Sequence, residues 1–559
     1  MSLIKKSVES FFLFALLASP ILAQEGEALM KELGCGGCHA GVAHDESVRE
    51  KAPDLSFAGE RYRPEYLFDY LQNFSRVRKH IGAARMPDFR FSPDEALALA
   101  LFLEQQKTES QDAIAIASML GAADANPVGV GEPKALIRSS GCLACHQLHG
   151  EGLATAVELA DISPRLQPGW FGKYAAAPSA YGIPIAVMPS FFFQKNSGGE
   201  FEQITQSAPQ KIAAISNYLF SLNHDQIQSQ RAKFAAARKE FPYATAEIGE
   251  KIFISQNCTA CHENRNLASQ GLTQAPDLSV ENVRVQKEWL LNYLKKPEQL
   301  RPFGFIPGMR NRMPDFQLTQ AEIDAIADDL SNQSGARSSV SGLEQEPLSA
   351  FRMIKARTLL EEKLSCLGCH QLGEKGGRIG PNLSSLNRRL QPQFVNQIIR
   401  EPQVILGHRD MPQIPMPEKT RALIVNYLLQ QSEKIMPFQM PSLVRQPPIL
   451  MSDNKSTATN YRRYCASCHG LDGRGDGFNA PFLPKPATKH ADGEYMKKRP
   501  DDTLFDGIYV GGYILNKSHF MPPWGKTLTT EEIQNLVAHM RALCQCEQPG
   551  WAGDGTENH

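Results

Sequence analysis

Apolar residues recur at helical spacing through most of the chain. In Glu531–Leu543, Ile533, Leu536, Val537 and Met540 fall at i, i+3, i+4 and i+7, one face of a helix. Similar amphipathic segments run over Glu27–Leu33, Glu65–Asn73, Pro93–Gln106, Thr245–Gln256, Lys287–Lys295 and Gln320–Leu330. Ser92 and Thr319 stand just before two of them as helix N-caps. Period-two alternation is scarce, so the pattern predicts an all-α chain. The longest apolar run, Phe11–Ala23, is 13 residues, short of the roughly 20 that cross a bilayer. Lys5 and Lys6 precede it and the small Ala23 ends it, which reads as a secretory signal over residues 1–23. The chain is then expected outside the cytoplasm, in the periplasm or an equivalent compartment, with no transmembrane helix once the signal is removed.

The 559 residues are too many for one core. Gly121–Pro133, Gln333–Pro347 and Pro437–Ser456 read as linkers, the last extended and Pro-rich. They divide the chain after the signal into units at 24–120, 134–235, 242–335, 348–436 and 455–546, followed by a flexible polar tail, 547–559. Units one and three share Ala-Pro-Asp-Leu-Ser and Arg-Met-Pro-Asp-Phe; units two and four share Cys-Leu-x-Cys-His-Gln-Leu and Arg-Leu-Gln-Pro. Cys35 to Cys258 is 223 residues and Cys142 to Cys366 is 224, so a two-unit block reads as duplicated, with a distinct fifth unit appended.

Ten of the 12 cysteines fall in Cys-x-x-Cys-His runs: Cys35/Cys38/His39, Cys142/Cys145/His146, Cys258/Cys261/His262, Cys366/Cys369/His370 and Cys465/Cys468/His469. Composition alone predicts about 0.006 such runs, so five are no accident. Two thiols at this spacing form thioethers with the vinyl groups of a porphyrin, and the adjacent imidazole is placed to bind its iron. Zinc would pair the runs two by two, and five is odd. Each run therefore predicts one covalently attached haem c, five in all.

Haem iron needs a second axial ligand or an open face. Composition predicts about one Met-Pro pair; the sequence has eight. Five follow a run's histidine by 41 to 52 residues: Met86, Met188, Met313, Met411 and Met521. In the fourth unit Met416 competes with Met411, but a leucine 17 residues after the methionine, as at Leu103 and Leu330, occurs only for Met411 (Leu428). His80, His408 and His519 lie just before three of these methionines and are alternative ligands. Cys544 and Cys546 lie outside the runs; a bond between residues two apart should be strained, which leaves pairing between chains or free thiols.

On these residues each unit resembles a class I cytochrome c domain, with the haem run near its start and a distal methionine in its last third, across residues 26–545. The fifth, with Cys-His-Gly-Leu-Asp-Gly-Arg-Gly-Asp-Gly at 468–477 and Met-Pro-Pro-Trp at 521–524, looks most like a free-standing single-haem cytochrome. The resemblance implies five tandem all-α domains, each around one haem. It also implies a proline after each run whose neighbouring carbonyl steadies the proximal histidine. Pro53, Pro276, Pro381 and Pro481 match, whereas the second unit has Val157 where the fourth has Pro381. The second unit also carries 14 extra residues before its closing helix. Phe191–Phe193 in that insert reads as a hydrophobic plug rather than a docking patch.

Five haems closed by His and Met on both faces pass single electrons rather than bind substrate. The expectation is an electron carrier between redox proteins or toward a membrane respiratory complex. Net charge is −1, and −2 after signal removal, so no basic surface points to nucleic acid. The sequence offers no catalytic cluster of its own. The alternatives are a haem enzyme or dehydrogenase or peroxidase-type subunit with one open haem, the second unit being the candidate, and a filament-forming cytochrome.

Overall fold

Each haem run is preceded by a leading helix and followed by a middle and a closing helix. The computed structural model describes residues 25–43, 47–75, 77, 82–108, 111–121, 129–181, 188–267, 275–332, 345–435, 438, 440–450 and 457–552. The signal, His44, His80 and most of the expected linkers lie outside the described residues. Leading helices cover 25–33, Pro133–Ser139, Ala246–Ser255, Ala350–Glu362 and Thr457–Tyr464. Middle helices are Pro64–Gln72, Pro168–Ala176, Lys287–Lys295, Pro392–Arg400 and Asp501–Tyr509. Closing helices are Pro93–Glu104, Ala208–Phe220, Gln320–Asn332, Glu418–Gln430 and Thr530–Cys544. The expected caps form. Thr319 N donates to Glu322 at 2.8 Å while Glu322 N reaches Thr319 Oγ1, and Glu95 accepts from Ser92 N at 3.1 Å. The structure is mostly helical; among the described residues the sheets are three short two-stranded hairpins.

At Gly249 and at Gly26, leading and closing helices of different units cross at close range. A Cβ on Gly249 would lie 2.0 Å from Ala98 O, and one on Gly26 2.4 Å from Ala325 O. The leading helix of unit three thus lies on the closing helix of unit one, and the reverse. The cores follow. Ile252 and Phe253 pack with Leu67, Leu71, Leu99 and Leu103. Met30 and Leu33 pack with Leu290, Leu294, Ile326 and Leu330.

A second contact repeats along the chain. Tyr62 bridges Leu166, flanked by Arg63 N to Arg165 O and Gln167 N to Arg61 O, both 3.0 Å. Val285 bridges Leu390 in the same way, with Gln286 N to Arg389 O and Gln391 N to Arg284 O, both 2.9 Å. Units one and two therefore meet as units three and four do.

Several features differ from the sequence reading. The helix His224–Glu240 connects units two and three and was not expected; Phe234 stacks edge-on to Phe68, and Arg231 and Lys233 pair with Glu65 and Asp69. The Pro-rich stretch 440–450 is a docked strap, not a loose tether. Leu443 and Val444 are buried in the core of Phe253 and Leu103, and Leu443 N donates to Glu95 at 2.7 Å. Phe192 and Phe193 are buried, as a plug requires. Cys544 and Cys546 form a disulfide. Gln545, between them, takes a left-handed backbone (φ 51°) and the two Cα atoms sit 5.2 Å apart, within the usual disulfide range, so adjacency in sequence does not forbid the bond.

Candidate functional site: the five Cys-x-x-Cys-His runs

In every run the histidine Nδ1 lies 2.7–2.9 Å from a backbone carbonyl oxygen. A carbonyl only accepts, so Nδ1 carries the proton and the neutral ring keeps its lone pair on Nε2. That fixes tautomer and ring plane for a metal on the other nitrogen. Burial lowers the His39 pKa to about 4, helped by the Arg284 charge and opposed by the Pro276 carbonyl. Burial lowers His370 and His469 as well.

One of the carbonyls comes from the expected proline, Pro381, and the others do not. His370 is served by Pro381 and His146 by Val157, so the second unit needs no proline for the contact. A Cβ on Gly380 would fall 2.5 Å from the His370 ring, which explains the glycine before Pro381. His39 is served by Pro276 and His262 by Pro53, each across units. Pro481 does not serve His469; Thr488 O does, at 2.8 Å. His490, unremarkable in sequence, is buried and stacks on His469 with ring centres 4.1 Å apart.

The runs are grouped. Asn257 Nδ2 donates to Gly37 O at 2.8 Å and lies 3.5 Å from Cys38 Sγ, so runs one and three touch. Asn479 Nδ2 donates to Gly368 O at 2.9 Å and lies 3.4 Å from Cys468 Sγ, joining runs four and five. Cys145 of run two is exposed. Burial pushes the thiols of Cys35, Cys261, Cys369 and Cys465 up to about 12. Among the described residues no three His, Cys, Asp or Glu side chains converge as an ion site.

Residues 22–103 and 452–540 match the family of cytochrome c oxidase, cbb3-type, subunit III, and residues 246–333 match the cytochrome c family. The chain carries cytochrome c domains. Such domains hold haem c covalently and move electrons through it. No curated protein matches the chain. Among solved structures it is similar to a chain of the Kuenenia stuttgartiensis reducing HAO-like protein complex, at 18% identity over 34% of this chain and 85% of that one, with a TM-score of 0.14.

The residues fit a haem. Around runs one and three the cytochrome c cavity is walled by Leu67, Leu71, Tyr70, Leu290, Trp289 and Leu294, with Met86 and Met313 both at its lining. Around run five it is walled by Met496, Leu504, Ile508 and Trp524, with Met521 present. Arg165, Arg284, Arg301 and Arg312 line the cavity around runs one and three. Burial lowers Arg301 to about 9 and Arg389 to about 10, and in both the Arg284 charge adds to the effect. The Nε atoms of Arg389, Arg165 and Arg61 are buried with no hydrogen-bond partner among the described residues. The two propionates of a haem would find hydrogen-bond donors here. Sequence reading missed these arginines because charge spacing alone does not tell a rim from a solvated face.

The remaining sequence candidates are placed as follows. Met188 is half-buried and directly follows a stretch, 182–187, outside the described residues. Met411 is half-buried on a loop held to the fifth unit by Arg409–Glu532 at 2.7 Å and Gln413 N to Thr527 Oγ1 at 3.1 Å. His519 Nε2 sits 3.0 Å from Glu361 O, so that nitrogen is engaged away from Met521's cavity wall. His408 Nδ1 is 2.9 Å from Asp410, its ring meets Phe305 edge-on, and its buried Nε2 has no hydrogen-bond partner among the described residues. No helix among the described residues is long and apolar enough to cross a membrane.

Proposed function

We propose that the chain is a five-haem electron-transfer protein working outside the cytoplasm. It passes single electrons between redox partners or to a membrane respiratory complex, in encounters of the weak, transient kind. The observation that carries this reading is the shared proximal geometry: five histidines, each with Nδ1 bound by a carbonyl at 2.7–2.9 Å and Nε2 left for a metal. The cysteines Cys35, Cys38, Cys142, Cys145, Cys258, Cys261, Cys366, Cys369, Cys465 and Cys468 anchor the haems, and Met86, Met188, Met313, Met411 and Met521 close their distal faces. Haem c with two protein ligands supplies reversible one-electron exchange, and methionine ligation raises its potential over bis-histidine. The protein's share is to exclude water, hold the imidazoles, and set the runs side by side. Runs one and three, and runs four and five, share direct contacts, and the repeated Tyr62–Leu166 and Val285–Leu390 joints connect unit two to that set and unit three to unit four.

Intact mass of the purified chain is expected to show five covalent haem additions, and the ferrous protein is expected to be inert to carbon monoxide. Rapid carbon monoxide binding at one haem supports the enzyme reading instead, and filaments that grow with concentration support the structural one.

At the fourth haem, Met411→Ala is expected to remove one methionine–iron charge-transfer band and Met416→Ala none. Loss of a band only with Met416→Ala, or conversion of a low-spin signal with His408→Ala and not with Met411→Ala, overturns the assignment.

A further inference from the structure

Spacing along the chain pairs each run with the next Met-Pro loop, His39 with Met86 and His262 with Met313. The fold pairs them differently. The core residues that follow run one beyond Pro53 pack around run three and those beyond Pro276 pack around run one, while beside the Met-Pro loops Ala83 N still reaches Glu32 and Arg312 N still reaches Gln256 at the ends of their own units' leading helices. The exchange is reciprocal at each level. Pro276 O holds His39 and Pro53 O holds His262. Leu278 N donates to Ala40 O and Leu55 N to Glu263 O, both 2.9 Å. Gly26 faces Ala325 and Gly249 faces Ala98.

The distal side follows the same rule. Met86, Phe89 and Cys258 all pack against one cluster, that of Leu67, Leu71 and Leu103. Phe316, three residues after Met313 as Phe89 is after Met86, packs with Cys35 against the other cluster, that of Leu290 and Leu294. The two Met-Pro loops also clasp each other. Asp88 and Asp315 form an antiparallel bridge with both N–O distances 2.7 Å. Arg85, before Met86, pairs with Glu322 at 2.5 Å, and Arg312, before Met313, pairs with Glu95 at 2.6 Å. These contacts hold the loops in fixed register about an approximate twofold relation.

Resting on the haem reading above, we infer that units one and three exchange distal ligands: the haem on Cys35, Cys38 and His39 takes Met313, and the haem on Cys258, Cys261 and His262 takes Met86. The two sites then form one interlocked body. Neither haem has a complete ligand set until both halves of the duplicated block are made: Met313 follows His39 by 274 residues and Met86 precedes His262 by 176. The device also fixes which haems are neighbours, since one cannot separate from the other without losing a ligand.

The test is spectroscopic and uses the full holoprotein. Met86→Ala opens one haem to carbon monoxide. A single-thioether variant marks a chosen haem, because the retained vinyl group stays conjugated with the porphyrin and moves that haem's bands to longer wavelength. Combined with Cys258→Ala, the Met86→Ala carbon monoxide complex is expected to show the shifted bands; combined with Cys35→Ala it is expected not to. The reverse pattern overturns the exchange while leaving the haem reading intact, and absence of covalent haem overturns the reading itself. If a single-thioether chain fails to mature, the native chain labelled at its methionine methyls decides. The methyl resonance lost in Met86→Leu is expected to show contacts to the thioether protons of the Cys258 haem, and contacts to those of the Cys35 haem overturn the exchange.

Discussion

Chain made without attached haem is expected to have no cooperative melt at the temperature where the holoprotein unfolds. The reason is the size of what the haems fill. The cavity around runs one and three is about 440 Å³. Without haem that apolar-walled space opens to water, and the packing lost there is a large share of a typical domain's stability of about 5–15 kcal/mol. The same chain would also leave Arg301 with Asp410, and Arg389 with Glu298 and Glu281, as their carboxylate partners, without the propionates. The packing lost exceeds what helices such as Thr457–Tyr464, of eight residues, hold by themselves. Far-ultraviolet circular dichroism of chain expressed without the haem-attachment machinery, set beside mature protein, measures it. A sharp transition at the holo temperature would show that the helices close on each other and that haem is an addition rather than the core.

The helices and the chemistry were legible in the sequence for a physical reason: both are local. Ile533, Leu536, Val537 and Met540 mark a buried face whatever that face meets, and all four are buried. Cys-x-x-Cys-His is a covalent requirement of one turn of chain. Val157 in place of a proline reads as a departure in the sequence, yet it makes the contact, because it is the carbonyl and not the ring that His146 uses. Partner choice was not legible. Units one and three are near copies, so the apolar stripe of Ala246–Ser255 fits the closing helix of either. Gly26 and Gly249 stand at equivalent places, and nothing in the pattern says whether each meets Ala98 or Ala325. The helix His224–Glu240 escaped for a different reason. It buries only Ile227, Gln230, Phe234 and Ala237, and a stripe with two large apolar residues in 17 is too thin to read. The strap at 440–450 has the composition of a linker, and its docking depends on Arg310, whose guanidinium meets the carbonyls of Pro441, Ser442 and Gln446 from 131 to 136 residues earlier in the chain. At the fifth run, Thr488 replaced Pro481 because a carbonyl's reach is set by the loop's path and not by the nearest proline.

Gly249→Ala is expected to be among the most damaging single-methyl changes in the protein, and Gly169→Ala mildly stabilising. Both glycines lie in helices, Ala246–Ser255 and Pro168–Ala176, where alanine is intrinsically favoured by up to about 1 kcal/mol. Their surroundings decide the sign. A Cβ at Gly249 would sit 2.0 Å from Ala98 O, 2.6 Å from Ala98 C and 2.8 Å from Phe102 Cβ. Two of those atoms are backbone of the facing helix, so no rotamer change relieves the clash and the helices must part. Overpacking of this kind costs about 1–3 kcal/mol, and more where the backbone itself must move. At Gly169 nothing lies within 4 Å, so only the propensity gain remains. Denaturant midpoints of the two holoproteins, with haem content measured alongside, give the comparison. Because the helix that must yield belongs to unit one, Gly249→Ala should disturb the first unit's middle and closing helices along with run three. A loss confined to residues 242–335, or none beyond about 0.5 kcal/mol, would mean that the two helices do not cross at this pair.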